Sequence, residues 1–191
     1  MTARDYLVTR TMNPMSAARQ GRGRWIVIMV IAGLVLAAGS VGVSAWVTAR
    51  DHRPLATAAL VWAAFLGFAV IGAVVALARP GNRVGWLMLS SGTLSLLGGA
   101  GIDVADHDLL RGGGIPGGSA FAVIGGDARS AGWYLAAIWV ALYFPDGRAV
   151  TGRWRWLPGL AIVGLIAGLL GSTFATHAQL NELSRWHNPL S

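Results

Sequence analysis

Four side chains that could bind a cation or change charge lie within six positions, at Asp103, Asp106, His107 and Asp108. Carboxylate oxygens are ligands for hard cations, and histidine is the side chain that titrates near neutral pH. On a continuing helix, Asp103 and His107 would share one face. The alternative is a solvated acidic loop, which the following glycines 112–114 favour because they would not hold ligands rigidly.

Other catalytic chemistry is not indicated, and we predict no catalytic residue and no cofactor. The chain contains no cysteine, which excludes disulfides and thiol catalysis. The pair His107-Asp108 superficially resembles the start of a phosphoacceptor helix, but glycines follow where a heptad pattern is needed. The Gly-rich stretch 112–126 lacks the Gly-Lys-Ser/Thr ending and the strand-to-helix context of a phosphate-binding loop.

The elements that must position these residues are membrane spans. Hydrophobic residues make up 54% of the 191 and charged residues 12%, whereas a soluble domain carries roughly 25% charged residues. About 20 apolar residues cross the hydrocarbon core. The sequence predicts an all-α integral membrane bundle of five transmembrane helices, over 25–48, 55–78, 84–102, 131–144 and 156–176. The fourth run is short, because 14 residues reach only about 21 Å.

Arginine positions predict the orientation. The chain has fifteen basic residues, all Arg, and ten of them fall in segments that lie on one side if all five runs cross. Cytoplasmic segments are richer in basic residues, so we expect N-in and C-out. The parts outside the spans are then a cytoplasmic basic tail, an outer loop and an extracytoplasmic tail, at 1–24, 103–130 and 177–191. This pattern explains the basic charge with the lipid bilayer as partner and without nucleic acid.

Helix contacts in lipid favour small residues. Gly164 and Gly168 form a Gly-x-x-x-Gly pair in the last run, which indicates either a homodimer seam or packing within one chain. Under the predicted boundaries no unpaired ionisable residue lies deep within a span. Transport paths usually carry such residues, so this pattern counts against a transporter.

Two predicted cytoplasmic loops carry recognisable motifs. The first reads RPGNRVGWL over 79–87 and the second LYFPDGR over 142–148, followed by Arg153-Trp154-Arg155. Together they resemble the N-terminal membrane region of actinobacterial two-component sensor histidine kinases, and the similarity covers roughly residues 25–190. The motif positions are Arg79, Pro80, Gly81, Asn82, Gly85, Trp86, Phe144, Pro145, Asp146, Gly147 and Arg148. Simple turn chemistry also accounts for both loops.

The resemblance implies a sensor or input module in a bacterial plasma membrane. Its partner would be a kinase module or response regulator, in a longer or a split system. The catalytic parts of that family, a phosphoacceptor helix and an ATP-binding domain, are not among these 191 residues, so we expect no enzyme activity from them. The alternative is a stand-alone membrane scaffold or partner protein, and a small transporter is the third interpretation.

Overall fold

The computed structural model describes residues 14–144, 147–148 and 152–174, with side chains from residue 23 onwards. All regular structure in these ranges is helical. The long helices are α1 (Pro14–Arg50), α2 (Leu55–Ala78), α3 (Arg83–Arg111), α4 (Gly118–Tyr134) and α6 (Leu157–Thr173). A π-helical segment (Leu135–Val140) and the short α5 (Ala141–Tyr143) continue α4, and a 3-10 turn (Gly152–Trp154) precedes α6.

Four of these helical stretches are long and apolar enough to cross a membrane: Gly23–Arg50, Leu55–Ala78, Arg83–Arg111 and Gly152–Thr173. The stretch from Gly118 to Tyr143 is a fifth of sufficient length, about 39 Å at 1.5 Å per residue. The predicted all-α membrane bundle is thus confirmed, and the fold is that of a multi-pass membrane protein. We name the two ends of the bundle by residues that lie there, the Asp51 end and the Asn82 end.

Helix α3 is the centre of the bundle and packs against α1, α2 and α4. Its contact with α2 is close because both helices present glycines. A Cβ atom on Gly72 of α2 would collide with the backbone of α3, and one on Gly85 or Gly92 of α3 would collide with the backbone of α2. Small residues let two backbones approach in this way, and the gain is van der Waals contact rather than expulsion of water.

The contact between α3 and α4 corrects the predicted outer loop. Residues 103–111 are the last turns of α3 and 118–130 belong to α4, so the loop is only 112–117. The glycines that suggested an irregular end of the third span are instead contact points. A Cβ on Gly98 would collide with the backbone of Gly125 and Arg129. The fourth crossing therefore begins 13 residues before the predicted 131, which removes its shortfall in length.

A side-chain hydrogen bond accompanies the π-helical segment. The Ser91 hydroxyl of α3 donates to the carbonyl of Gly132 at 2.7 Å, and Ser91 is fully buried. Gly132 lies one turn before the segment, where the regular pattern of backbone hydrogen bonds changes. Insertion of a side chain into the backbone ladder is a common cause of such irregularity.

The two chain ends differ from the predicted tails. Helix α1 begins at Pro14, so residues 14–24 are helical rather than part of an irregular tail, while 1–13 lie outside the described residues. Helix α6 ends at Thr173, and most of the predicted outer tail 177–191 lies beyond the last described residue, 174. α6 packs chiefly against α4 and leaves most of its apolar surface exposed.

Candidate functional site

Six ionisable side chains from two parts of the chain meet at the Asp51 end of the bundle. They are Asp51 and Arg53 from the α1–α2 connection and Asp103, Asp106, His107 and Arg111 from α3. We call this set the ion-pair network. It joins the turn after α1 to the last three turns of α3.

A tight turn brings the two residues of the connection inward. The amide of Arg53 donates to the Thr48 carbonyl at 3.0 Å, and that of His52 donates to the Ala49 carbonyl at 3.2 Å. His52 has a φ of 54°, a left-handed conformation that reverses the chain direction at some steric cost. The reversal leaves His52 exposed and turns Asp51, with 3% of its side chain exposed, towards α3.

Asp51 is the centre of the network. Its Oδ1 lies 2.6 Å from Nδ1 of His107, and its Oδ2 lies 3.3 Å from Nε of Arg111. Arg53 adds a longer contact of 3.7 Å to the same Oδ2. A buried carboxylate requires pairing to offset its loss of hydration, and Asp51 has this pairing from three cationic or potentially cationic groups.

The partners on α3 lie on one face because they are three or four residues apart. Arg53 donates to Oδ1 of Asp103 at 2.8 Å, and Arg111 donates to Oδ2 of Asp106 at 3.0 Å. Asp106 also lies 3.8 Å from Arg53. Three carboxylates therefore face two guanidinium groups and one imidazole.

Two aromatic contacts flank the histidine. Trp46 of α1 meets the His107 ring edge-on, with ring centroids 6.5 Å apart. The guanidinium of Arg50 lies over the other ring system, 4.6 Å from the Trp46 centroid. The imidazole is thus held between a carboxylate and an indole, and its residue is buried.

The four candidate cation ligands have other partners in the structure. Asp103, Asp106 and His107 belong to the ion-pair network, and Asp108 accepts a hydrogen bond from the Gly118 amide at 3.1 Å. That bond caps the N-terminus of α4, a favourable place for a carboxylate. Within the described ranges no group of three or more His, Cys, Asp and Glu is arranged to hold a metal ion. The solvated-loop interpretation does not fit either, since Asp106 and His107 are buried.

A cavity of about 290 Å³ lies beside the network. Arg53 and Asp103 line one part of it, and Trp62, Phe65 and Arg129 line other parts. The cavity combines charged groups with a large aromatic surface, which is the usual composition of a small-molecule site.

Two further ionisable residues correct the expectation that the spans lack them. Asp127 and Arg129 lie within α4, because that helix begins at Gly118. Oδ2 of Asp127 accepts a hydrogen bond from the Thr173 hydroxyl of α6 at 2.7 Å, while its Oδ1 is buried without a hydrogen-bond partner among the described residues. Ionisable groups at such a depth are usually functional.

The two motif-bearing loops meet at the Asn82 end. Oδ1 of Asn82 accepts from the Val84 amide at 2.9 Å and caps α3. Gly147, with a φ of 70°, packs directly against the Asn82 side chain and leaves no room for a Cβ atom. Arg83 donates to the hydroxyl of Tyr143 at 3.3 Å, and its guanidinium lies 5.3 Å from the centroid of that ring.

Other motif residues serve the turns themselves. The amide of Asn82 donates to the Arg79 carbonyl at 2.8 Å, and Nε1 of Trp86 donates to the Pro80 carbonyl at 3.1 Å. Gly81 is open to its surroundings, Gly85 packs on α2, and Phe144 and Arg148 are exposed. Pro145 and Asp146 lie outside the described residues.

The glycine pair of the last span is divided between two environments. A Cβ on Gly164 would meet the hydroxyl of Tyr134, so this residue packs on α4 of the same chain. Gly168 has nothing within 4 Å of a built Cβ. The closest backbone contacts instead involve glycines seven apart, such as Gly85 and Gly92, and Gly125 and Gly132.

Asp51, Arg53 and Arg111 were not among the predicted site residues. A usable signal was present, because a short gap containing Asp and Arg precedes a helix that carries acids and a histidine at spacings of three and four.

The chain was compared with known proteins. No family model matches it, and no curated protein sequence or solved structure is significantly similar to it.

Proposed function

We propose that this chain is a membrane-embedded sensory input module in a bacterial plasma membrane, of the kind that precedes the kinase domains of a two-component sensor. The observation that carries the proposal is the α3–α4 pair. Both helices begin or end at the Asp51 end beside the ion-pair network, and both reach the two interlocked loops at the Asn82 end. A shift of one helix at the first end displaces a loop at the second.

The packing of this pair suits such coupling. Backbone meets backbone at Gly98 and Gly125, and again at Gly132, so neither helix can slide without moving its neighbour. Closely packed elements move between discrete arrangements rather than deforming continuously. The output partner under this proposal is a kinase module or response regulator.

Orientation is part of the proposal. The excess of arginine in the segments at the Asn82 end favours a cytoplasmic location for that end. The ion-pair network and the cavity then face the extracytoplasmic side, and the loops with the kinase-like motifs face the compartment that holds ATP.

Asp127 supports a small transporter as a second candidate. A carboxylate inside a span, with one oxygen buried and without a hydrogen-bond partner among the described residues, is the type of group that carries protons or cations across membranes. A stand-alone scaffold would use neither feature.

The test of the sensory proposal uses spin labels at the Asn82 end. The chain has no cysteine, so Gly81→Cys with Arg148→Cys gives one labelled pair on the two touching loops. Full-length protein in lipid nanodiscs is compared by continuous-wave electron paramagnetic resonance with and without Asp51→Asn. We expect the dipolar broadening to change with Asp51→Asn and to stay constant with the control Asp108→Asn, whose amide oxygen still accepts from Gly118.

Circular dichroism establishes that each labelled variant retains its helix content. An unchanged spectrum in a folded Asp51→Asn protein contradicts the sensory proposal and favours the scaffold. Proton or cation uptake by vesicles that contain the wild type, lost on Asp127→Asn, favours the transporter.

A further inference from the structure

The cavity at the Asp51 end has a definite shape. Its lining comes mainly from one face of α2 and from the facing side of α3, with Arg129 contributed by α4. At one end the hydrogen bond of 2.8 Å between Arg53 and Asp103 lies in the lining. At the other, Phe65 meets Trp133 edge-on with centroids 5.2 Å apart. The space is therefore a groove that runs along the helices from a charged end to an aromatic end.

The charged end favours an anion. Two arginines, Arg53 and Arg129, line the cavity against a single carboxylate, Asp103. Nε of Arg53 is buried and makes no hydrogen bond among the described residues. The hydroxyl-bearing Thr48 and Thr57 lie in the same part of the lining. A carboxylate or phosphate is the group that such a set of donors recognises.

The remaining lining is apolar. Val61, Trp62, Phe65, Leu96 and Ile102 form most of it. A volume of about 290 Å³ is at the lower end for ligand sites. It accommodates one hydrocarbon chain, whereas the two chains of a phospholipid need more room.

The position along the bundle is consistent with a ligand that enters from the lipid phase. Arg129 packs against Gly98, which is about 22 Å along α3 from Arg83 at 1.5 Å per residue. The charged end of the groove lies further along the same helix, at Asp103. An amphiphile whose head is at the membrane surface and whose chain points into the bilayer matches this order of polar and apolar groups.

We propose that this groove binds a single-chain amphiphile with an anionic head, the head pairing with Arg53 and Arg129 and the chain lying on Trp62 and Phe65. The inference rests on the proposed sensory role only in naming its ligand, since binding is measured separately from coupling. It assigns the Asp51 end a specific input.

The test uses 11-bromoundecanoate, whose bromine quenches tryptophan fluorescence on contact. Full-length protein in phosphatidylcholine nanodiscs is titrated with this probe and with its neutral analogue, 11-bromoundecanol. The chain has nine tryptophans, so the informative signal is the difference between the wild type and Trp62→Phe. We expect saturable quenching by the carboxylate that Trp62→Phe largely removes, and no saturable quenching by the alcohol.

Arginine variants test the head group. Arg53→Gln and Arg129→Gln should each raise the half-quenching concentration by about tenfold or more, the loss expected for a hydrogen bond to a charged group. The matched control is Arg50→Gln, which lies at the same end of α1 but stacks on Trp46 away from the groove. Ala58→Leu fills the groove from α2 without touching an ion pair and should abolish the signal even if an arginine variant fails to fold.

Three results overturn the proposal: equal quenching by the alcohol, unchanged binding in folded Ala58→Leu protein, or displacement of the probe by phosphatidylglycerol at concentrations where undecanoate does not displace it. Binding without any change at the spin-labelled loops contradicts the sensory role alone. Coupled loops without binding contradict the ligand alone.

Discussion

At the Asp51 end, distant parts of the chain are joined by ion pairs between side chains, whereas at the Asn82 end they are joined by turns, a helix cap and a glycine contact. Asp51 and Asp106 have 3% and 7% of their side chains exposed. Asn82 makes its hydrogen bond within its own turn and meets the second loop through Gly147.

The difference concerns how each end can respond. Ion pairs in a desolvated setting are strong but depend on every member, because removal of one partner leaves a buried charge without compensation. Backbone caps are local and change little when another part of the molecule moves. The Asp51 end is thus the part of the bundle that a ligand or an ion can reorganise, and the Asn82 end is the part that transmits the result.

The largest expected effect is at the centre of the network. Asp51→Asn removes the charge that pairs with Arg111 and His107, and breaking a buried pair costs about 3–5 kcal/mol. We expect the free energy of unfolding in mixed micelles to fall by that order. Asp108→Asn is the matched control and should change it by less than about 1 kcal/mol. Equal losses in the two variants would mean that Asp51 is no more important than a surface cap.

The seam between the two ends is the next target. Gly98→Ala places a methyl group against the backbone of α4, and overpacking of this type costs about 1–3 kcal/mol. Gly99→Ala, one position along, meets nothing within 4 Å and should be neutral or slightly stabilising, since alanine favours helix by about 1 kcal/mol. Thermal unfolding of both variants in nanodiscs gives the comparison, and similar melting temperatures would contradict the close contact of α3 and α4.

The sequence was informative about crossings and much less so about their ends. Long apolar runs follow directly from the energetics of the bilayer, and each corresponds to a helix in the structure. The extension of α3 to Arg111 could not be derived locally. Asp and Gly are poor helix formers, and the turn that carries Asp106 and His107 is stabilised by Asp51, more than fifty residues away.

The start of α4 was missed for a related reason. Gly125, Gly126 and Asp127 have low helix propensity, and in this protein the glycine at 125 is what allows α4 to pack on α3. The search for glycines four apart pointed to Gly164 and Gly168, while the close contacts repeat at seven. The meeting of the two motif loops is a long-range contact, which no single motif reveals.

The smallest effect is expected at the Asn82 end. Asn82→Ala removes the side-chain acceptor of the Val84 amide, and loss of an N-cap costs about 1 kcal/mol. Asn82→Asp retains the acceptor and should remain close to the wild type in the same unfolding measurement. If Asn82→Ala instead destabilises the protein as much as Asp51→Asn, the contact with Gly147 carries more than a cap, and the Asn82 end is itself a site of cooperative long-range packing. The contrast between the two ends would then be one of chemistry alone, and the capacity to reorganise would have to be assigned to both.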